Sequence, residues 1–171
     1  MPHPERTFVI AGDIDHEVVV KLTKFLLYNE EAGEDVCIQI TSDGGDATAG
    51  TALFDLIRGL SIKVTTEAYG DVMSAAFLVF QAGHWRRIAP YARLMWHDAW
   101  QSVRGKFESK ELDRKVRDLI QIDRLGNLAL AERLEIPVET AEAWSQATTY
   151  WTASEAITAG LADELTRSVN T

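Results

Sequence analysis

Val36-Cys37-Ile38-Gln39-Ile40 runs straight into Thr41-Ser42-Asp43-Gly44-Gly45-Asp46, and the character of the chain changes at that junction. The apolar, β-branched run reads as a strand, and the paired glycines end it in a turn. A helix follows from about Ala47 to Ile57. The same unit recurs on both sides. Upstream, Thr7-Phe8-Val9-Ile10-Ala11-Gly12 is a strand ending at a glycine. Asp15 then stands where it can cap a helix whose Val18, Leu22, Phe25 and Leu26 share one face, and Gly33 closes that helix. Downstream, Ile62 to Ala68 reads as a third strand broken by Gly70, with an apolar helix beginning near Ser74. Arg93-Leu94-Met95-Trp96 is a fourth strand, ending at His97. Strands alternating with helices predict an α/β protein built from right-handed crossovers.

After His97 the pattern changes. Gln101 to Lys106 is polar, and a long helix is expected from about Ser109 to Leu134, with Leu112, Val116, Leu119 and Leu125 on one face. Pro137 starts a short helix; Trp151-Thr152-Ala153-Ser154-Glu155-Ala156 opens the last one, and Gly160 ends it. A chain of 171 residues without internal repeats fits one domain, 1–171.

Bulk properties exclude several classes. A formal net charge of −9 argues against nucleic-acid binding by phosphate neutralisation. No stretch approaches the ~20 apolar residues of a membrane span, and the first residues lack the apolar core of a signal peptide, so a cytoplasmic protein away from membranes is expected. Cys37 is the single cysteine, which rules out an internal disulfide and a multi-cysteine metal site; within an apolar run it reads as a buried thiol. No phosphate-binding Gly-Lys-Ser/Thr motif and no zinc-ligand spacing occurs, so neither cofactor nor metal is expected. The five tryptophans read as core or interface packing.

The chemistry concentrates at the glycine turns. In an open α/β sheet, sites form beyond the carboxyl ends of the strands. The turn at Gly44-Gly45, the segment Gly70 to Ser74 and the strand end at His97 can therefore meet at one edge. A serine hydroxyl needs a base to accept its proton, and a histidine can do so near neutral pH. A helix starting at the serine offers free backbone N–H groups to a developing oxyanion, and a glycine turn lets another approach. On pattern alone, Ser74 as a helix cap, Gly44-Gly45 as a plain turn and His97 as a core histidine stay open. No histidine follows His97, which removes the α/β-hydrolase order; the orders with histidine before serine have only His3 and His16 to use.

These residues resemble the Clp protease proteolytic subunit. The family's Ile-Asn-Ser-Pro-Gly-Gly stretch, followed by Thr-Ala-Gly, is matched by Ile40-Thr41-Ser42-Asp43-Gly44-Gly45-Asp46-Ala47-Thr48-Ala49-Gly50. Its Gly-Gln-Ala-Ala-Ser-Met-Gly-Ala is matched by Gly70-Asp71-Val72-Met73-Ser74-Ala75-Ala76-Phe77, and its Ala-Gly block by Ala82-Gly83. Its Pro-x-x-Arg-x-Met-x-His is matched by Pro90 to His97, and its late Ser-Ala-x-Glu-Ala…Gly-Leu-x-Asp block by Thr152 to Asp163. The resemblance runs from about Glu5 to Leu165. It implies the ClpP/crotonase fold, stacked βαβ units with a protruding helical handle: a head at about 5–97 and 136–165 and a handle at about 98–135. It implies a serine endopeptidase in an oligomeric ring, a heptamer or double ring joined through head and handle, acting on polypeptides. Ser74 would be nucleophile and His97 general base, with Gly45 and Ala75 supplying the oxyanion-hole N–H groups.

Departures from the family pattern carry information too. Where the family has its triad aspartate, this chain has Thr148, and no Asp or Glu lies between Glu142 and Glu155. That implies a slower enzyme or, as the alternative, a weak or inactive ring subunit partnering an active homologue. An acyl-CoA enzyme of the related crotonase type is a further alternative, although it has no use for a Ser74–His97 pair. The first strand is expected almost at the start of the sequence, where the family pattern has an axial-loop segment. The family's aromatic ATPase-docking pocket maps to Cys37, Gln39, Gly59 and Arg87, which leaves a Clp ATPase partner doubtful. Asp43, Asp46 and Asp71 would make the groove acidic and disfavour acidic peptides.

Overall fold

The computed structural model describes residues 6–102, 104–106 and 108–166. β1 (Thr7–Ala11), α1 (His16–Ala32), β2 (Val36–Ser42), α2 (Ala47–Gly59), β3 (Val64–Met73) and α3 (Ala75–Ala82) form the expected repeating unit. Their ends follow local chemistry. The Asp15 carboxylate accepts the Val18 N–H at 2.9 Å and starts α1, while Gly33 ends it in the left-handed region. The Asp46 carboxylate accepts the Ala49 N–H at 2.8 Å and starts α2.

The remaining elements are β4 (Trp85–Ile88), β5 (Arg93–Trp96), α4 (Ser109–Leu134), α5 (Val138–Ala147), β6 (Thr149–Thr152), α6 (Ala153–Thr158) and β7 (Glu164–Leu165). The sheet runs β1-β2-β3-β4-β7 with every pair parallel. β5 pairs in parallel with the far end of β3 and antiparallel with β6. All eight residues of α3 are buried, so this helix fills the centre of the molecule. Leu22, Leu26, Leu53 and Ile57 turn from α1 and α2 into the same core, each worth about 1.5–3 kcal/mol by burial.

Three expectations are corrected. Gly70 does not break the third strand: β3 continues to Met73, with a register shift between Ile40 and Ser42 on its β2 neighbour. The glycine, at φ 60°, lets the strand bend and exchange partners, from β4 before it to β5 after it. Arg93–Trp96 is the fifth strand and not the fourth, because Trp85–Ile88 forms a strand that the sequence reading passes over. Arg86 is buried there because Asp163 meets its guanidinium at 2.7 Å and its backbone N–H at 2.7 Å. Trp151 and Thr152 lie in β6; the last helix starts one residue later, under a capping box of Thr152 and Glu155.

The long helix spans the expected residues. Its C-terminal part is anchored through Gly126, Asn127, Leu130 and Ala131, while Leu112, Val116, Ile120, Leu125 and Leu128 are exposed. Among the described residues, no helix is long and apolar enough to cross a membrane. Cys37 is buried, as expected, and burial followed by the nearby Glu67 pushes its thiol up to about 12.

Candidate active site

Ser74 sits between β3 and α3 in a conformation that costs energy, φ 54° and ψ −126°. It occupies the cap position, yet its side chain makes no cap hydrogen bond. Backbone contacts hold it instead: its N–H donates to the Met95 carbonyl at 2.9 Å, and its carbonyl accepts the Leu78 N–H at 3.2 Å. The hydroxyl is therefore presented rather than spent on the helix, against the plain capping alternative.

The Gly44-Gly45 turn closes over it. A Cβ at Gly44 would lie 2.7 Å from the Ser74 Cβ, so no side chain fits there. At Gly45, φ 146°, a Cβ would run into the Ile14 backbone. The turn is fixed by Ile14 N–H to Gly44 carbonyl at 2.7 Å, Asp46 N–H to Ile14 carbonyl at 2.8 Å, and Gly44 N–H to Ser42 Oγ at 3.1 Å. None of these bonds uses the Gly45 N–H. The Ala75 N–H lies in the first turn of α3, where helix geometry supplies no partner.

His97 follows β5. Met95 pairs with Met73, which brings the end of β5 alongside Ser74. On the other side, Trp96 pairs with Thr149, and the Asp98 N–H donates to the Ser145 carbonyl at 3.2 Å. The Ala99 N–H donates to Asp123 Oδ1 on α4 at 2.6 Å. Beneath lie Trp96, Phe77, Trp151 and Trp144, ring against ring at 5.3–5.7 Å. Trp96 Nε1–H donates to Asn127 Oδ1 at 2.8 Å, and Asn127 donates on to Ser145 Oγ at 3.2 Å. Trp100 is not part of this core packing: it is 75% exposed and lines the cleft.

One cleft of ≈ 760 Å³ is lined by Ser74, Ala75, Gly45 and His97 together. Thr148 is placed differently. One step beyond the Trp96–Thr149 pair, it follows the register opposite His97, but it is exposed, left-handed at φ 52°, and does not line the cleft. The Thr149 hydroxyl is already committed to the Trp144 carbonyl at 2.9 Å. The cleft is acidic, through Asp13, Asp43, Asp46, Asp118 and Asp123 against Lys115. Asp71 is not part of it; Arg93 holds it in a two-bond pair at 2.7 and 2.8 Å.

Asp123 is the residue that the sequence reading missed. Its pKa is raised, by burial first and by Asp98, against the lowering effects of the Ala99 N–H and His97. Its signal was periodic: Asp123 stands four residues before Asn127, on the helix face that meets the β5 end.

The sequence profile described as Clp protease matches residues 3–169. The chain belongs to the Clp protease family. A family member from Pleurastrum terricola, named as an ATP-dependent Clp protease proteolytic subunit, is 29% identical over 165 residues, covering 94% of this chain and 83% of the relative. The fold is shared with a point mutant of ClpP1 from Listeria monocytogenes, at a TM-score of 0.85 and 24% identity over 97% of this chain and 94% of that one.

Proposed function

We propose that this Clp-family chain is a serine endopeptidase in which Ser74 attacks the peptide carbonyl and His97 is the general base. The carrying observation is the strained, uncapped Ser74 hydroxyl in the same cleft as His97. His97 takes the hydroxyl proton as the Ser74 oxygen bonds to carbon, and returns it to the leaving amine. The Gly45 and Ala75 N–H groups receive the oxyanion. Water, activated by the same imidazole, then cleaves the acyl-enzyme.

The chain acts in this reading as a ring subunit, with a head at about 5–97 and 136–165 and a handle at about 98–135. The exposed apolar residues of α4 support association through the handle. Docking of a Clp ATPase by apolar insertion is disfavoured. Glu67, itself buried, gathers Gln39 at 3.1 Å, Tyr69 at 3.0 Å and Arg87 at 3.5 Å, and Arg87 also meets Glu164 at 2.7 Å. That network fills the surface with bonded polar groups.

One observation favours a second reading, a weak or inactive subunit: Thr148 brings no charge and lies outside the cleft. Intact-mass labelling with a fluorophosphonate decides between them. A single adduct in the wild type, lost in Ser74→Ala and His97→Ala, supports the peptidase. A folded, assembled wild type without an adduct supports the inactive subunit.

A further inference from the structure

We propose that Asp123, projecting from α4, is the positioning residue of His97, supplying from the helix the negative charge that Thr148 does not supply from the β6 side. The inference rests on the peptidase reading of Ser74 and His97. Asp123 Oδ1 takes the Ala99 N–H at 2.6 Å, which fixes the backbone two residues after His97. Its side chain lines the cleft with His97 and Ser74.

The other charged groups of the cleft are less suited. Asp13, Asp43, Asp46 and Asp118 are exposed, and Asp46 is bound as the cap of α2. Asp98 is exposed next to His97 on the same segment, and Lys115 is the cation of the cleft, one turn before Asp118 on α4. Asp123 alone among these carboxylates is partly shielded and bonded to the His97 segment. The shielding strengthens its field at the imidazole, since a charge pair away from water is screened less. The anchoring is shared: Gly126 abuts Trp96, where a Cβ would come within 3.2 Å of its ring, and Asn127 binds its Nε1–H. The face of α4 that holds β5 in place therefore also carries the charge.

An imidazole beside a carboxylate holds its proton more tightly and passes more easily to imidazolium in the transition state. Removing the charge should lower the His97 midpoint and, with it, the acidic limb of activity. The test is a histidine-selective NMR titration of the assembled protein, with the His97 resonance assigned by His97→Ala among the four histidines. Asp123→Asn, which keeps an oxygen for the Ala99 N–H, should lower the His97 midpoint by about 0.5–1 pH unit. It should also cut kcat by roughly tenfold while leaving KM within about twofold. In a Thr148→Asp background the same substitution should have much less effect, because two charges serving one imidazole are not additive.

An unmoved midpoint overturns the proposal, and so does a fall in kcat without a shift, which would leave Asp123 a backbone anchor only. Should Asp123→Asn not fold, the reciprocal measurement stands in: in His97→Ala the Asp123 carboxyl should titrate higher, and an unchanged value overturns the coupling. The titrations need no turnover. A wild type that fails to label with fluorophosphonate therefore sinks the peptidase reading while still deciding whether Asp123 and His97 are coupled.

Discussion

Thr148 is held at φ 52°, a conformation that a β-branched residue adopts at a cost and that aspartate tolerates better. Thr148→Asp should therefore be accepted by the backbone. Placed beyond the Trp96–Thr149 pair, it would bring a carboxylate to the register position facing His97. We expect kcat/KM for a fluorogenic peptide to rise at least about tenfold, given what a triad acid contributes. Equal activity in the two proteins would show that position 148 is too exposed to reach the imidazole. That Ser74, His97, Gly45 and Ala75 meet at one cleft was legible, because each stands at the end of a strand or the start of a helix; the roles proposed for them came from the family resemblance and not from the pattern. Asp123 was not legible, because its four-residue spacing to Asn127 shows only a shared helix face, and nothing in a helix sequence says that its carboxylate meets a backbone N–H across the cleft.

At the scale of elements, legibility followed periodicity. The bounds of α4 came directly from its repeat, and α1 from its caps. β4 was hidden because its two central residues are arginines, and only Asp163, far along the chain, makes the burial of Arg86 tolerable. Arg86 is bonded to Asp163 and, at 2.8 Å, to Gln81, whose own amide donates to the Leu161 carbonyl at 3.0 Å. Arg133 on α4 adds bonds to the Gln81 and Gly83 carbonyls at 2.8 and 2.9 Å, and burial lowers its pKa to about 10. β4, α3, α4 and the chain after α6 thus share one polar joint. Asp163→Ala would leave the Arg86 charge buried without its partner, and should cost about 3–5 kcal/mol in chemical denaturation. A loss below about 1 kcal/mol would show that water reaches Arg86 freely. The cleft walls also come from separate elements: Asp13 follows β1, Asp43 and Asp46 follow β2, and Asp118 and Asp123 belong to α4. Their summed field favours cationic peptides. We expect kcat/KM for Lys- or Arg-flanked fluorogenic peptides to exceed that for Asp- or Glu-flanked ones by about tenfold at low salt, narrowing as ionic strength rises. Faster cleavage of the acidic series would contradict this.

Across the whole molecule, the groups with shifted pKa values set how stability follows pH. The His84 Nδ1 accepts the Val64 N–H at 3.2 Å, a bond that a proton on that nitrogen would remove. Burial first, then Arg58, Lys63 and Arg133, lower its pKa. The unfolded chain therefore binds the proton first, from about pH 6.5. Stability is full above that value and is lost as pH falls toward the folded-state value. Asp163 acts the same way further into acid. Burial opposes its charge, but the Arg86 hydrogen bonds prevail and lower its pKa, so its contribution is present above the usual aspartate range, about pH 3.9, and goes as pH falls through the depressed value. Asp123 has the opposite sign: its raised pKa favours the fold below the aspartate range and costs stability as pH rises through the shifted value. The wild type should therefore lose stability in two stages on acidification, the first beginning near about pH 6.5 and assigned to His84. His84→Asn, which keeps an acceptor for the Val64 N–H, should flatten the first stage and leave the second in place. Urea denaturation in steps of about half a unit, from about pH 7.5 to about pH 3, checks it. An equal early loss in both proteins would move the first stage to another group.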